Sequence, residues 1–315
     1  MDMKLVSVLI PSYNHRPYIK QCIESIVSQD YENVELIIID DSSTDGTYQE
    51  IQALIKAYNH RFQGVFISQN SKNLGVSATL NRGLEIAEGE YLLIVASDDF
   101  LLPGAISSLV KAISQKPEAV LCVPDNIFVD KNGQQVGWDF EGKVVSFEQS
   151  QYRTFGQFLC TKEHFKFDRY FKIYNQLLFH NFLPNGRLFR LNSIKEVAGF
   201  SPKFSPEDWY INIQLAKVGQ FLYLPEELFA YRTHDSNTVR SKAYIEKYFD
   251  CLSSLIKNEQ EYNRTVRSEI IWKTAYLGCQ RKKSPSIPLI DFFVFKTFYS
   301  IYKCVWKMLR HSNSF

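Results

Sequence analysis

The sequence predicts an α/β fold: a mostly parallel, Rossmann-like sheet flanked by helices, with a helical C-terminal extension. Three observations predict it. Within the first 125 residues, short runs rich in β-branched side chains alternate with stretches of helical period. The runs are nearly continuous in apolar character, the pattern of strands buried on both faces. From Tyr244 onwards the pattern turns helical and stays so to the end.

The strand candidates are residues 5–10, 34–40, 64–68, 91–95 and 119–123. Between the first two, Ile19, Cys22, Ile23, Ile26 and Val27 recur at i, i+3, i+4 spacing and mark an amphipathic helix. Ile51, Leu54, Ile55 and Tyr58 mark a second, and residues 76–87 a third. A fourth follows Pro103, a residue suited to a first helical turn. Residues 126–200 are less regular and rich in aromatics, among them Phe155, Phe158, Phe165, Phe167, Tyr170, Phe171 and Tyr174. Such a cluster reads either as core or as a platform for acceptor sugars. These patterns divide the chain into 1–125 and 126–240, two halves of one domain, and an extension over 241–315.

Apolar residues make up 45% of the 315 and charged residues 22%, as in ordinary globular proteins. The six cysteines form no C-x-x-C pair and no zinc spacing, which fits a reduced, cytoplasmic setting. No signal-peptide pattern precedes the first strand, and no uninterrupted apolar run reaches 18 residues. The total charge of +2 is unevenly spread. From Arg264 to the end stand ten Lys or Arg against two acids, leaving the rest acidic by about six charges. Within residues 291–310, a helix at about 100° per residue would place Lys296, Lys303, Lys307 and Arg310 in one narrow stripe. Val294, Phe298, Ile301, Val305, Met308 and Leu309 would lie opposite. That is the build of an interfacial helix on an anionic membrane, or of a helix packed on protein, a second subunit included. Motifs of nucleic-acid recognition are absent.

Ligands in open α/β sheets bind beyond the C-terminal strand ends, and three of those ends are polar here. They read Pro11-Ser12-Tyr13-Asn14, Asp40-Asp41-Ser42-Ser43-Thr44-Asp45-Gly46-Thr47, and Ala96-Ser97-Asp98-Asp99. Asp45 and Thr47 read as turn and cap residues. Adjacent carboxylates are costly unless a cation or ligand satisfies them. Asp98 and Asp99 are hard oxygen ligands suited to Mg²⁺ or Mn²⁺ bridging to a diphosphate, without the Cys and His that zinc favours.

The segments Val6-Ser7-Val8-Leu9-Ile10-Pro11-Ser12-Tyr13-Asn14 and Glu35-Leu36-Ile37-Ile38-Ile39-Asp40-Asp41 resemble the opening of the inverting family-2 glycosyltransferases, which have the GT-A fold. Asn73-Leu74-Gly75, Asn81-Arg82-Gly83 and Ala87-Glu88-Gly89-Glu90-Tyr91 match the middle of that family. Gly199-Phe200, Pro206-Glu207-Asp208-Trp209 and Tyr231-Arg232-Thr233-His234 match its later part. The resemblance covers residues 4–125 and 182–238. It implies that Pro11, Ser12, Tyr13, Asn14, Asp41, Asn81 and Asp98 bind the nucleotide sugar, with Pro11, Tyr13 and Asp41 at the nucleobase and ribose. It also implies that Asp98, Asp99 and His234 meet the metal. Two positions depart from the family: Ala96 replaces the first acid of D-x-D, and Leu80 replaces an Arg before Asn81.

By the same resemblance the reaction is an inverting displacement on a nucleoside diphosphate sugar, probed first as a UDP-sugar. The acceptor is a saccharide or lipid-linked saccharide of a cell-surface polysaccharide, met on the inner membrane face. Asp208 is the candidate base, Glu207 supports it, and Arg232 with His234 contacts the diphosphate or the metal. Two other readings of the same residues are a nucleotide-sugar binding protein without catalysis and a nucleotidyltransferase. A dinucleotide oxidoreductase would need G-x-G-x-x-G after the first strand, which is absent.

Overall fold

A computed structural model describes residues 3–140, 143–162, 170–171, 177, 183–204 and 206–235. The chain divides into two compact units, Met1–Tyr244 and Ile245–Phe315, and the described residues all lie in the first. The expected extension over 241–315 and its basic stripe therefore lie outside the described residues. Among the described residues no helix is long and apolar enough to cross a membrane.

Four βα units open the chain. β1 (Val6–Ser12), β2 (Val34–Asp40), β3 (Gly64–Gln69) and β4 (Tyr91–Ile94) lie parallel in the order β3-β2-β1-β4. The helices are α1 (Arg16–Val27), α2 (Thr47–Tyr58), α3 (Val76–Ile86) and α4 (Ala105–Ser114). Side chains alternate across each strand. Val6, Val8 and Ile10 join Val34, Leu36 and Ile38 in the core that buries Ile19, Cys22, Ile23 and Ile26 of α1, Ile51 and Leu54 of α2, and Ile106 and Leu109 of α4. Leu9 and Ile37 point to the opposite face, where α3 packs on β1 and β2.

Two sequence expectations need correction here. β3 is not buried on both faces: it is an edge strand paired only with β2, and Phe66 is exposed on it. Pro103 also stands outside α4, which opens at Ala105 behind Gly104 in the left-handed region. The first-turn proline is instead Pro17 of α1.

The sheet is completed by strands that the sequence reading does not name. β5 (Phe100–Leu101) pairs antiparallel with β11 (Gln220–Arg232), which itself lies parallel to β6 (Ala119–Val129). β10 (Leu188–Arg190) sits antiparallel between β4 and β6 and closes the centre of the sheet. β1, β2, β3, β4, β6 and β11 thus all run one way, with β10 reversed among them. β7 (Gln135–Trp138) and β8 (Val144–Ser146) form a hairpin beside β6, and β9 (Tyr170–Phe171) pairs with β11. The helices α5 (Phe155–Lys162), α6 (Leu191–Glu196) and α7 (Glu207–Val218) complete the described part. Phe155 and Phe158 pack edge-on and tilted against Phe128, Trp138 and Tyr152. These two aromatics are half-buried in that cluster.

Candidate active site

The turn after β4 is the centre of the site. Asp98 stands between two imidazoles: its Oδ2 lies 3.0 Å from His234 Nε2 and its Oδ1 lies 3.8 Å from His15 Nδ1. The three donor atoms all fall within 4.8 Å of one another. His15 Nδ1 is also 2.8 Å from Ser97 Oγ. Tyr18, one turn further along α1, stacks on His234 at 4.8 Å between centroids. Burial raises the Asp98 carboxyl, but the His234 hydrogen bond and the charges of both imidazoles outweigh it and bring the carboxyl below its usual range. Burial is the main cause that lowers His15.

Asp99, expected on the metal with Asp98, is not in this group. It is buried, and its Oδ1 accepts the Arg232 backbone N–H at 2.8 Å. Burial, reinforced by the charge of Asp98, pushes its carboxyl well above the ordinary range. In the protein alone, the two adjacent carboxyls are therefore pushed in opposite directions, Asp98 down and Asp99 up. Arg232, expected at the diphosphate or the metal, is buried against the turn. Its guanidinium donates to the carbonyls of Asp98 (2.7 Å), Asp130 (3.1 Å) and Lys131 (3.3 Å) and to Gln21 Oε1 (2.6 Å). It also lies over the rings of Tyr18 and Phe100. Its work is to brace the Asp98 turn.

The expected donor-side residues fall into two groups. Asp41, Asn14 and Asn81 build the loops. Asp41 is buried and accepts from Asn70 Nδ2 and from the backbone N–H groups of Leu74 and Gly75. It thereby fastens a loop whose Gly75 has φ +85°, a conformation that favours glycine. Asn14 accepts from the Thr44 N–H, joining the ends of β1 and β2. Asn81 pairs with both the N–H and the carbonyl of Phe200. Pro11, Ser12 and Tyr13 form the other group, at the end of β1. The Ser12 hydroxyl is buried and unpartnered, and Tyr13 is exposed. Asp45 and Thr47 are the turn residues expected of them, with Asp45 accepting the Thr47 N–H.

On the acceptor side, Glu207 and Asp208 open α7. Asp208 Oδ2 pairs with Arg187 Nη2 at 2.8 Å, and Arg187 is buried. Arg187 Nε donates to the Pro184 carbonyl, and the same Nη2 also reaches the Leu183 carbonyl (3.3 Å) and Asn185 Oδ1 (3.2 Å). Against the rise that burial causes, Asn185 also lowers the Asp99 carboxyl a little. Burial first, and then the charge of Asp208, raises Glu207 to about 7.

Sequence reasoning missed His15, Tyr18, Gln21 and Arg187. The first three recur at i, i+3, i+6 on the α1 face that meets Arg232 and His234, a signal present in the sequence. No local pattern pairs Arg187 with a carboxylate 21 residues on.

One-way strands around a reversed β10, with an acidic turn at the end of β4, make this the GT-A fold of nucleotide-diphospho-sugar transferases. Two solved structures share it: Staphylococcus aureus TarS 1–349 in complex with UDP-GlcNAc and the mannosyltransferase PcManGT from Pyrobaculum calidifontis in complex with GDP-Man and Mn²⁺. The first has a TM-score of 0.60 at 19% identity over 86% of this chain and 72% of its own. The second has a TM-score of 0.57 at 16% identity over 97% and 84%. The chain belongs to glycosyl transferase family 2, whose pattern matches residues 7–183. A relative, Glycosyltransferase GlyG of Streptococcus pneumoniae, is 27% identical over 59% of this chain. The chain spans 62% of that relative's length, and 33% and 31% of two others.

Proposed function

We propose that the protein transfers a sugar from a nucleoside diphosphate donor, foremost a UDP-sugar, to a hydroxyl of a saccharide or lipid-linked saccharide, with inversion, in cell-surface polysaccharide synthesis. One observation carries this reading: at the end of β4, Asp98 faces the imidazoles of His15 and His234 with donor atoms within 4.8 Å of one another, a ready site for a cation beside a diphosphate. The nucleotide sugars named with the two solved neighbours support the donor class.

In this reading the end of β1, with the Ser12 hydroxyl and Tyr13, receives the nucleoside. Asp98 and His234 would hold a divalent cation, Mg²⁺ or Mn²⁺, to which a carboxylate and an imidazole are suitable ligands. When bound, that ion neutralises charge on the departing diphosphate. The acceptor oxygen attacks the anomeric carbon from the face opposite the diphosphate; one C–O bond forms, the other breaks, and Asp208 takes the hydroxyl proton. Arg187 holds that carboxylate in place through Oδ2. The basic C-terminal segment supports a peripheral position on the cytoplasmic membrane face, where a lipid-linked acceptor lies.

Calorimetric titration with UDP, with and without Mn²⁺ or Mg²⁺, tests the site. Metal should strengthen UDP binding to the wild type and not to Asp98→Ala. Equal affinity in every combination would remove the metal from the reading.

A further inference from the structure

We propose that His15 is a third protein ligand of the Asp98–His234 cation site, making it an imidazole-rich centre that takes Mn²⁺-type ions in preference to Mg²⁺. The inference rests on the functional reading above and narrows it.

The geometry is convergent. The planes of His15 and His234 are 82° apart with centroids at 5.8 Å, and each ring presents one nitrogen to a different oxygen of the same carboxylate. Donors about 2.1 Å from a common ion stand roughly 3 Å apart when adjacent and about 4.2 Å when opposite. The two carboxylate–imidazole separations, 3.0 and 3.8 Å, fall within that span, and all three donor atoms lie within 4.8 Å of one another, so a shift of about half an ångström would bring them onto one ion. At 3.8 Å, His15 Nδ1 and Asp98 Oδ1 are too far apart for a hydrogen bond, yet they face one another across a gap of cation size. With its proton on Nε2, His15 keeps the single Nδ1 lone pair on this side; Ser97 Oγ, 2.8 Å away, would turn its hydrogen elsewhere when an ion takes that lone pair. Tyr18 contacts both rings, stacked on His234 and edge-on to His15. Both imidazoles are thus held in place before any ligand arrives.

The chemistry follows from the donor set. Mg²⁺ prefers oxygen and keeps its water, whereas Mn²⁺, Co²⁺ and Zn²⁺ accept imidazole. Two nitrogens and one carboxylate also suffice to capture such an ion without a nucleotide. Two diphosphate oxygens then bring the count to five, which suits six-coordinate Mn²⁺ or Co²⁺ better than tetrahedral Zn²⁺.

The test is metal binding by the full chain with no nucleotide present, read from loss of the free Mn²⁺ electron paramagnetic signal. Wild type should bind Mn²⁺, and a tenfold excess of Mg²⁺ should leave most of it bound. His15→Ala should weaken Mn²⁺ binding by at least about tenfold, since loss of mere outer-shell support already costs that much. Electron spin echo modulation from directly bound nitrogen should fall in the same variant.

Displacement by equimolar Mg²⁺ would overturn the proposal in the wild type alone, whatever the variant's fold. Unchanged binding by His15→Ala with loss in Asp98→Ala would also overturn it while leaving the metal reading intact. Mn²⁺ binding only when UDP is added has the same consequence. No Mn²⁺ binding with or without UDP would remove both.

Discussion

Two pairs of neighbouring carboxylates share this site, and in each pair the environment treats the members differently. The two imidazoles bring the Asp98 carboxyl below its usual range, while burial and the charge of Asp98 push the Asp99 carboxyl well above it. Asp208 lies against Arg187 while Glu207 rises from its ordinary 4.5 to about 7. A carboxyl raised by folding stabilises the native state below the unfolded value and loses that contribution as pH climbs through the folded one. Wild type should therefore lose stability relative to Glu207→Gln between pH 4.5 and 7, by on the order of 3 kcal/mol, and show no further loss above pH 8. Urea unfolding of both proteins at pH 4.5, 6 and 8.5 measures this, and a pH-independent difference would show that Glu207 ionises normally. Catalysis divides the other way: Asp208→Asn should lose about 10²–10⁴ in kcat while still binding donor. Glu207→Gln should lose less. Near-normal turnover by Asp208→Asn, or a product with retained configuration, would place the base elsewhere.

The first four strands and helices are legible because each is a long apolar pattern of one period, and packing reinforces it. β5 and β10 have two and three residues, too few to show a period, and their pairing is set by distant partners. β11 hides its length because Pro225, Glu226 and Glu227 interrupt its apolar run at a register shift. The site is legible in the same uneven way. Asp98 stands out because it ends a strand. Arg232, although it belongs to a recognisable motif, acts by bracing a turn 133 residues earlier. Several motif residues prove to shape loops in this sense, and Gly89 shows why they are specific. A Cβ there would stand 2.7 Å from the Ser7 nitrogen and 2.8 Å from the Leu5 carbonyl, both backbone atoms of the first strand segment. Gly89→Ala should destabilise the protein by about 1–3 kcal/mol through this overpacking. A shift in the urea midpoint reports it, and an unchanged midpoint would show that the two segments part easily.

At the scale of the whole molecule, charge and strand order each have a consequence. The concentration of positive charge after residue 264 predicts flotation with anionic vesicles and not with neutral ones, lost in a chain ending near Lys283. Equal flotation of the two lengths, or none at low salt, would assign the segment to packing. The position of β10 bears instead on how the chain assembles during synthesis. β4 and β6 are complete long before residue 188 is made, yet they never pair with each other; the three-residue β10 alone joins them. A nascent chain therefore carries two unsatisfied strand edges in mid-sheet for some sixty residues of translation, the condition under which strands recruit wrong partners. Cooperative folding has to wait for a contact of long sequence separation, which slows it. A chain truncated at residue 183 should consequently show no cooperative urea transition and should associate at micromolar concentration in sedimentation. If it remains monomeric and unfolds cooperatively, β4 and β6 have found another way to close the seam.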